Sequence, residues 1–180
     1  ERLDEMSTSQ RQRFRRREVA CVWASTQSRE RLSVLEYVEI PLLVDGRDHR
    51  GAERLARNAL VACEAEQCAA METQELSDGE RQRVEIARAL VTEPRLLLAD
   101  GPASNLPLIE QEKIMALLAS FALEGNAAVL VTDSNAEALV RADPILYLCD
   151  GKLIGEEPPG EGGRIYEFPG SRPPRFAADA

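Results

Sequence analysis

Ser77 and Glu80 stand three residues apart at the head of an apolar-periodic run, the spacing of a capping box that opens a helix. A helix N-terminus also presents unpaired N–H groups and the positive end of the helix dipole, an arrangement that suits a phosphate. The two readings are compatible, and the spacing alone does not choose between them. Downstream, Leu96-Leu97-Leu98-Ala99-Asp100 reads as an apolar strand ending in a carboxylate. Ligands of open α/β sheets gather at strand C-terminal ends, so Asp100 is a candidate for binding chemistry. It reads equally well as a turn residue before Gly101-Pro102. Asp133, after the run Val131-Thr132, reads first as an N-cap for a following helix.

A phosphate cradle of the form G-x-x-x-x-G-K-[ST] needs glycine N–H groups around the phosphates and a lysine to neutralise them. The chain has only two lysines, Lys113 and Lys152. Gly151-Lys152 is followed by Leu153, and Leu146 stands where the first glycine should be. The sequence therefore holds no such loop.

The elements that would position these residues alternate. Val19–Trp23 reads as a short buried strand, and Ser33 caps a helix through Val34, Leu35, Tyr37 and Val38 that Pro41 stops or kinks. Residues 50–63 form a second helix with Leu55, Ala59, Leu60 and Val61 inward. A helix from Gly79 to Val91 leads past Pro94 into the strand ending at Asp100. Ile114, Leu117, Leu118 and Phe121 then share one helical face. After them come the strand 128–132, a short helix around 136–140 and the strand 145–149, which turns at Asp150-Gly151 into Lys152-Leu153-Ile154. Strands alternating with helices, and apolar on both faces, give an α/β fold with a parallel sheet covered by helices. From about Glu156 the chain is rich in Pro and Gly and reads as an irregular tail.

At 180 residues the chain suits one domain with a real core, and no apolar run reaches the ~20 residues that span a bilayer. Its net charge of -9 argues against phosphate-driven nucleic-acid binding. Cys21, Cys63, Cys68 and Cys149 lack metal-ligand spacing and read as reduced structural thiols. Arg11, Arg13, Arg15, Arg16 and Arg17 crowd one segment, which reads as a solvated helix face or, more sharply, as a contact for an anion or acidic partner.

The run from Leu76 to Leu90, followed by Leu96–Asp100, resembles the signature motif and Walker B strand of ATP-binding cassette (ABC) ATPases, in their usual order. Val19–Trp23 and Leu32–Glu36 resemble the Q-loop region of the lipoprotein-releasing and macrolide-exporting branch, with Ala24 at the Q-loop glutamine and Gln27 nearby at the wrong spacing. The resemblance implies a P-loop NTPase-like fold whose Walker A part is missing. It covers residues 1–155, with a helical part at about 25–75 and the signature helix to the final hairpin at 76–155, leaving 156–180 as the tail. It implies that Ser77 and Gly79, with Glu80, contact a nucleotide held by a partner, and that Asp100 helps hold Mg²⁺.

The same resemblance exposes departures. Asp78 stands where the pattern has its first glycine, Gly101 where it has the glutamate that polarises water, Pro107 at the D-loop aspartate and Asp133 at the switch histidine. No catalytic set is intact, and an ionised Asp133 cannot donate to a γ-phosphate. The resemblance thus implies a catalytically impaired ABC ATP-binding subunit, peripheral at the cytoplasmic face of a membrane, working with a permease and/or a second ABC ATPase subunit. ATP and Mg²⁺ would enter only a composite site shared with that partner. The alternatives are a non-transport interaction module on an ABC-like scaffold and a fragment of a conventional ABC ATPase.

Overall fold

The computed structural model describes residues 3–24, 31–124, 127–133 and 145–157. It divides into two units, Glu1–Ala138 and Leu139–Ala180. Gln27, the short helix expected around 136–140 and all but the first two residues of the expected tail lie outside the described residues.

Three capping boxes set the frame of the first unit. Ser7 with Gln10 opens α1 (Thr8–Arg17), Ser33 with Glu36 opens α2 (Val34–Val44), and Ser77 with Glu80 opens α4 (Asp78–Leu90). Between the last two, Asp48 caps α3 (His49–Ala62), and a 3-10 turn at Glu66–Cys68 follows. α5 spans Leu108–Glu124. Pro41 does not stop α2, which runs on for three residues to Val44. The proline removes one intrahelical N–H, but its own carbonyl still accepts from the Asp45 N–H at 3.2 Å.

The strands β1 (Val19–Trp23), β2 (Leu96–Asp100) and β3 (Ala128–Thr132) form a parallel sheet in the order β1-β2-β3, with Val22, Ala99 and Val131 in register. β2, the central strand, alternates strictly: Leu97 and Ala99 are buried, while Leu96 and Leu98 are only half covered. β1 is not a buried strand throughout. Val22 is buried, but Trp23 is 61% exposed, because successive side chains point to opposite faces and the even-numbered ones face the core.

The helical core is built from α2, α3 and α4. On α3 the inward stripe is Ala52, Ala56 and Leu60, spaced by four. Val61, expected inward, is 53% exposed because it lies one residue, about 100°, off that stripe. Glu39 of α2 is a buried carboxylate whose Oε2 lies 3.0 Å from His49 Nδ1, without the alignment of a hydrogen bond. Burial pushes its pKa up, with nearby His49 opposing. The folded state therefore holds this proton more tightly than the unfolded chain does, and the stability it contributes is lost as pH rises above the ordinary glutamate value of 4.5. Glu39→Gln should lower stability less at pH 7 than at pH 4, as read by urea unfolding of both proteins; an equal change at the two pH values would contradict the assignment.

In the second unit, β4 (Ile145–Cys149) pairs antiparallel with β5 (Lys152–Glu157). Asp150 and Gly151 both adopt positive φ, 49° and 73°, as a two-residue hairpin turn requires.

Candidate functional site

Ser77 is fully committed at the head of α4. Its Oγ accepts from the Glu80 N–H at 3.4 Å, its hydroxyl donates to Glu80 Oε2 at 2.6 Å, and its N–H donates to the same oxygen at 3.0 Å. These hydrogen bonds from Ser77 hold the Glu80 carboxyl below its usual range. Ser77→Ala should cost about 0.5–2 kcal/mol of stability, measurable by urea unfolding, since it removes the cap. A phosphate at this helix end would have to take the Ser77 hydroxyl from Glu80.

A second carboxylate, not foreseen from sequence, sits against the same turn. A Cβ on Gly79 would meet Glu110 Oε2 at 2.8 Å, and that oxygen accepts from Arg83 Nη1 at 2.7 Å while Oε1 accepts from Lys113 at 2.9 Å. Lys113 and then Arg83 hold the Glu110 carboxyl below its ordinary value. The Glu110–Lys113 spacing was visible as an i, i+3 pair, but its approach to Gly79 is tertiary. With Asp78 exposed at the first helical position, the positive end of α4 has two carboxylates in its own first turn, and Glu110 of α5 is a third beside it. Gln82, also not foreseen, is fully buried one turn along and donates to the Trp23 carbonyl at 3.2 Å, tying α4 to the end of β1.

The other candidate residues gather where β1, β2 and β3 end. Ala24 N–H donates to the Asp100 carbonyl at 2.9 Å, and Gly101 N–H donates to the Thr132 carbonyl at 2.8 Å. Asp100 Oδ1 accepts from the Thr132 hydroxyl at 2.5 Å, and Asp133 Oδ2 accepts from Ser104 Oγ at 3.4 Å. Gly101 has φ +56°, and a Cβ there would lie 2.6 Å from Ser104 Oγ and 3.8 Å from the Ala24 methyl. This position is thus more than a missing side chain. Its backbone has taken the left-handed conformation that favours glycine, and the Ser104 hydroxyl fills the space a side chain would enter.

The oxygens of Asp100, Thr132, Ser104 and Asp133 are the hard donors that Mg²⁺ takes, and bound there the cation would neutralise phosphate charge. Among the described residues, however, no group of three or more His, Cys, Asp or Glu side chains is placed to hold a metal. The donors present fit a cation that another ligand helps to hold. Asp100 and Asp133 are both carboxylates, which repel a phosphate unless a cation lies between.

Of the thiols, Cys68 borders the head of α4, where it faces the Glu80 carboxylate. Cys63 and Cys68 are buried, and burial pushes the Cys63 thiol up to about 12 and the Cys68 thiol upward. Cys21 and Cys149 are exposed. A disulfide-reagent titration of the native protein should label two thiols rapidly and two only on unfolding.

Residues 2–104 match the ABC transporter family. The lipoprotein-releasing system ATP-binding protein LolD of Ruegeria sp. (strain TM1040) is 35% identical over 144 residues, 80% of this chain and 63% of that protein. LolD of Koribacter versatilis (strain Ellin345) is 34% identical over 157 residues, 87% of this chain and 70% of the relative. Among solved structures, the dimeric structure of MJ0796, a bacterial ABC transporter cassette, superposes with a TM-score of 0.73 at 30% identity, covering 88% of this chain and 70% of that one. The cbiO1 cassette of Clostridium perfringens shares the fold with a TM-score of 0.76 at 22% identity. The chain spans less than two thirds of the length of several of the curated relatives it matches.

Proposed function

The chain belongs to the ABC transporter family of ATP-binding domains, and from that premise we propose that it serves a transporter assembly as an accessory partner that does not hydrolyse ATP on its own. The observation that carries this reading is Gly101, where the water-polarising carboxylate of the family is replaced by a left-handed glycine packed against Ser104. Loss of a general base commonly costs about 10²–10⁴ in rate. Asp133 adds a second carboxylate beside Asp100 instead of a donor.

In this reading residues 1–155 act as a partial nucleotide-binding domain. The head of α4 supplies Ser77, Gly79 and Glu80 in trans to the phosphates of a nucleotide held by a second cassette. For a phosphate to approach the Gly79 backbone, Glu110 has to move aside, and Ser77 exchanges Glu80 for the phosphate as acceptor. Asp100 is the residue that would hold Mg²⁺, so ATP and Mg²⁺ belong to a composite site. The partners are a membrane permease and/or a second ABC ATPase subunit, at the cytoplasmic face of the membrane. Among the described residues no helix is long and apolar enough to cross a membrane. The likeness to lipoprotein-releasing ATP-binding proteins and to a cassette solved as a dimer supports this assignment.

The experiment is affinity capture of the chain from its native membranes with identification of what accompanies it. A permease, or a cassette with an intact phosphate loop, is the expected result. Capture of soluble, non-transport proteins alone would sink the accessory-subunit reading and leave an interaction module on an ABC scaffold.

A further inference from the structure

The space that Gly79 leaves open at the head of α4 is already filled. A Cβ there would meet Glu110 Oε2 at 2.8 Å, Cδ at 3.4 Å and Cγ at 3.5 Å, so the Glu110 side chain lies along the glycine and does not merely point at it. We propose that Glu110 is an internal stand-in for phosphate: an autoinhibitory carboxylate that must be exchanged for the phosphate of a partner's nucleotide before the contact in trans forms. The proposal rests on the reading of Ser77, Gly79 and Glu80 as that contact. It adds a residue of α5 that decides when the contact is made.

A carboxylate and a phosphate bind the same partners, cations and N–H donors. Both oxygens of Glu110 are on cations: Oε2 accepts from Arg83 Nη1 at 2.7 Å and Oε1 from Lys113 Nζ at 2.9 Å. Arg83 belongs to α4, one turn beyond Gly79, and Lys113 to α5, so the carboxylate bridges the two helices. With Glu110 in place the head of α4 repels a further anion, because Asp78 and Glu80 already stand in its first turn. With Glu110 turned away, Arg83 and Lys113 are left beside Gly79 as two cations without their carboxylate. Displacement thus turns the same turn of helix from repelling a phosphate to attracting it.

A simple tie between α4 and α5 has no need of a carboxylate at this point. The positive end of α4 is already served by Asp78 and by Glu80, which closes the capping box, so a third negative charge adds little to the helix. The hold on Glu110 is also one that can be released. Lys113 and Glu110 are 52% and 24% exposed, and ion pairs open to water contribute little. Arg83, at 14%, holds more tightly. A phosphate presented at Gly79 offers that guanidinium a bidentate partner of higher charge than the carboxylate it gives up.

The test is titration of the isotope-labelled full chain with tripolyphosphate, reading the Gly79 and Glu80 amide resonances in the unsubstituted protein, in Glu110→Gln and in Glu110→Ala. Glutamine and alanine are both good helix formers, so α5 keeps its fold in either variant. Each variant should bind roughly tenfold more tightly than the unsubstituted protein, with the shifts centred on Gly79. Lys113→Gln added to Glu110→Gln should remove most of that gain. Equal affinity in the three proteins, including no binding by any of them, overturns the proposal. So does a gain that Lys113→Gln leaves intact, or one centred away from Gly79. The accessory reading fails on a different result. A gain at Gly79 with capture of soluble proteins alone would keep the exchange and discard the transporter, whereas a captured permease with three equal affinities would do the reverse.

Discussion

Glutamate placed at position 101 will not make this protein an ATPase. In the proposed reading the substitution supplies a side chain to polarise water, yet the surroundings do not accept it. A non-glycine residue at φ +56° costs roughly 1–2 kcal/mol, and its Cβ would stand 2.6 Å from Ser104 Oγ. Ser104 is in turn held by Asp133, so moving it aside breaks the 3.4 Å hydrogen bond between them. The carboxylate would then point into a site that already contains Asp100 and Asp133, where a third negative charge weakens ionisation and repels phosphate. Gly101→Glu should therefore lower stability by about 1–3 kcal/mol and leave Mg²⁺-dependent turnover at the background of the unsubstituted protein. Turnover that appears in Gly101→Glu and vanishes in Gly101→Glu/Asp100→Asn would show that the strand ends still form a competent site, and the accessory reading would have to be abandoned.

The largest effect on stability is expected from Leu60→Ala. Leu60 has no exposed surface and sits at the end of the Ala52–Ala56–Leu60 stripe by which α3 packs on its neighbours. The small alanines let the helices approach closely, which leaves little slack to collapse around a cavity. Truncation should cost about 2–5 kcal/mol, seen as a fall in the urea midpoint at constant m. Val61→Ala, one residue along, should change stability by about 0.5 kcal/mol or less, because that side chain is mostly in water. Equal costs at the two positions would mean that α3 is rotated from the orientation described.

That pair also shows where sequence reading succeeds. The cap at Ser33, the capping box at Ser77 and the Asp150-Gly151 hairpin turn were legible because each is decided within four residues. β2 was legible as well, since four apolar residues and a closing aspartate between turn signals leave few alternatives. The inward face of α3 was not, because two of its three core residues are alanines and do not stand out against Leu55 and Val61. The site was legible as a set of residue types and illegible as geometry. That a glycine stands where the resemblance expects a glutamate is plain from the sequence, but not the left-handed backbone at Gly101 or the Ser104 hydroxyl that lies against it. Glu110 could not have been found at all. Its effect on Gly79 spans 31 residues and depends on how α5 returns past the head of α4.

The three-stranded sheet carries one further consequence. Ala20, Val22, Leu97, Ala99, Val129 and Val131 occupy one face in register, while Cys21, Trp23, Leu98 and Leu130 occupy the other, with Trp23 and Leu130 at 61% and 56% exposure. Selection for folding alone would therefore write a two-residue rhythm into the tolerated sequences of this sheet. In a library randomised at 19–23, 96–100 and 128–132, polar residues should accumulate at Cys21, Leu98 and Leu130 and be purged at Val22, Leu97 and Ala99. Selection for the protein's task in its assembly would add any face that has to be covered there. The difference between the two selections would mark, strand by strand, which hydrophobic residues this chain keeps for itself and which it keeps for others.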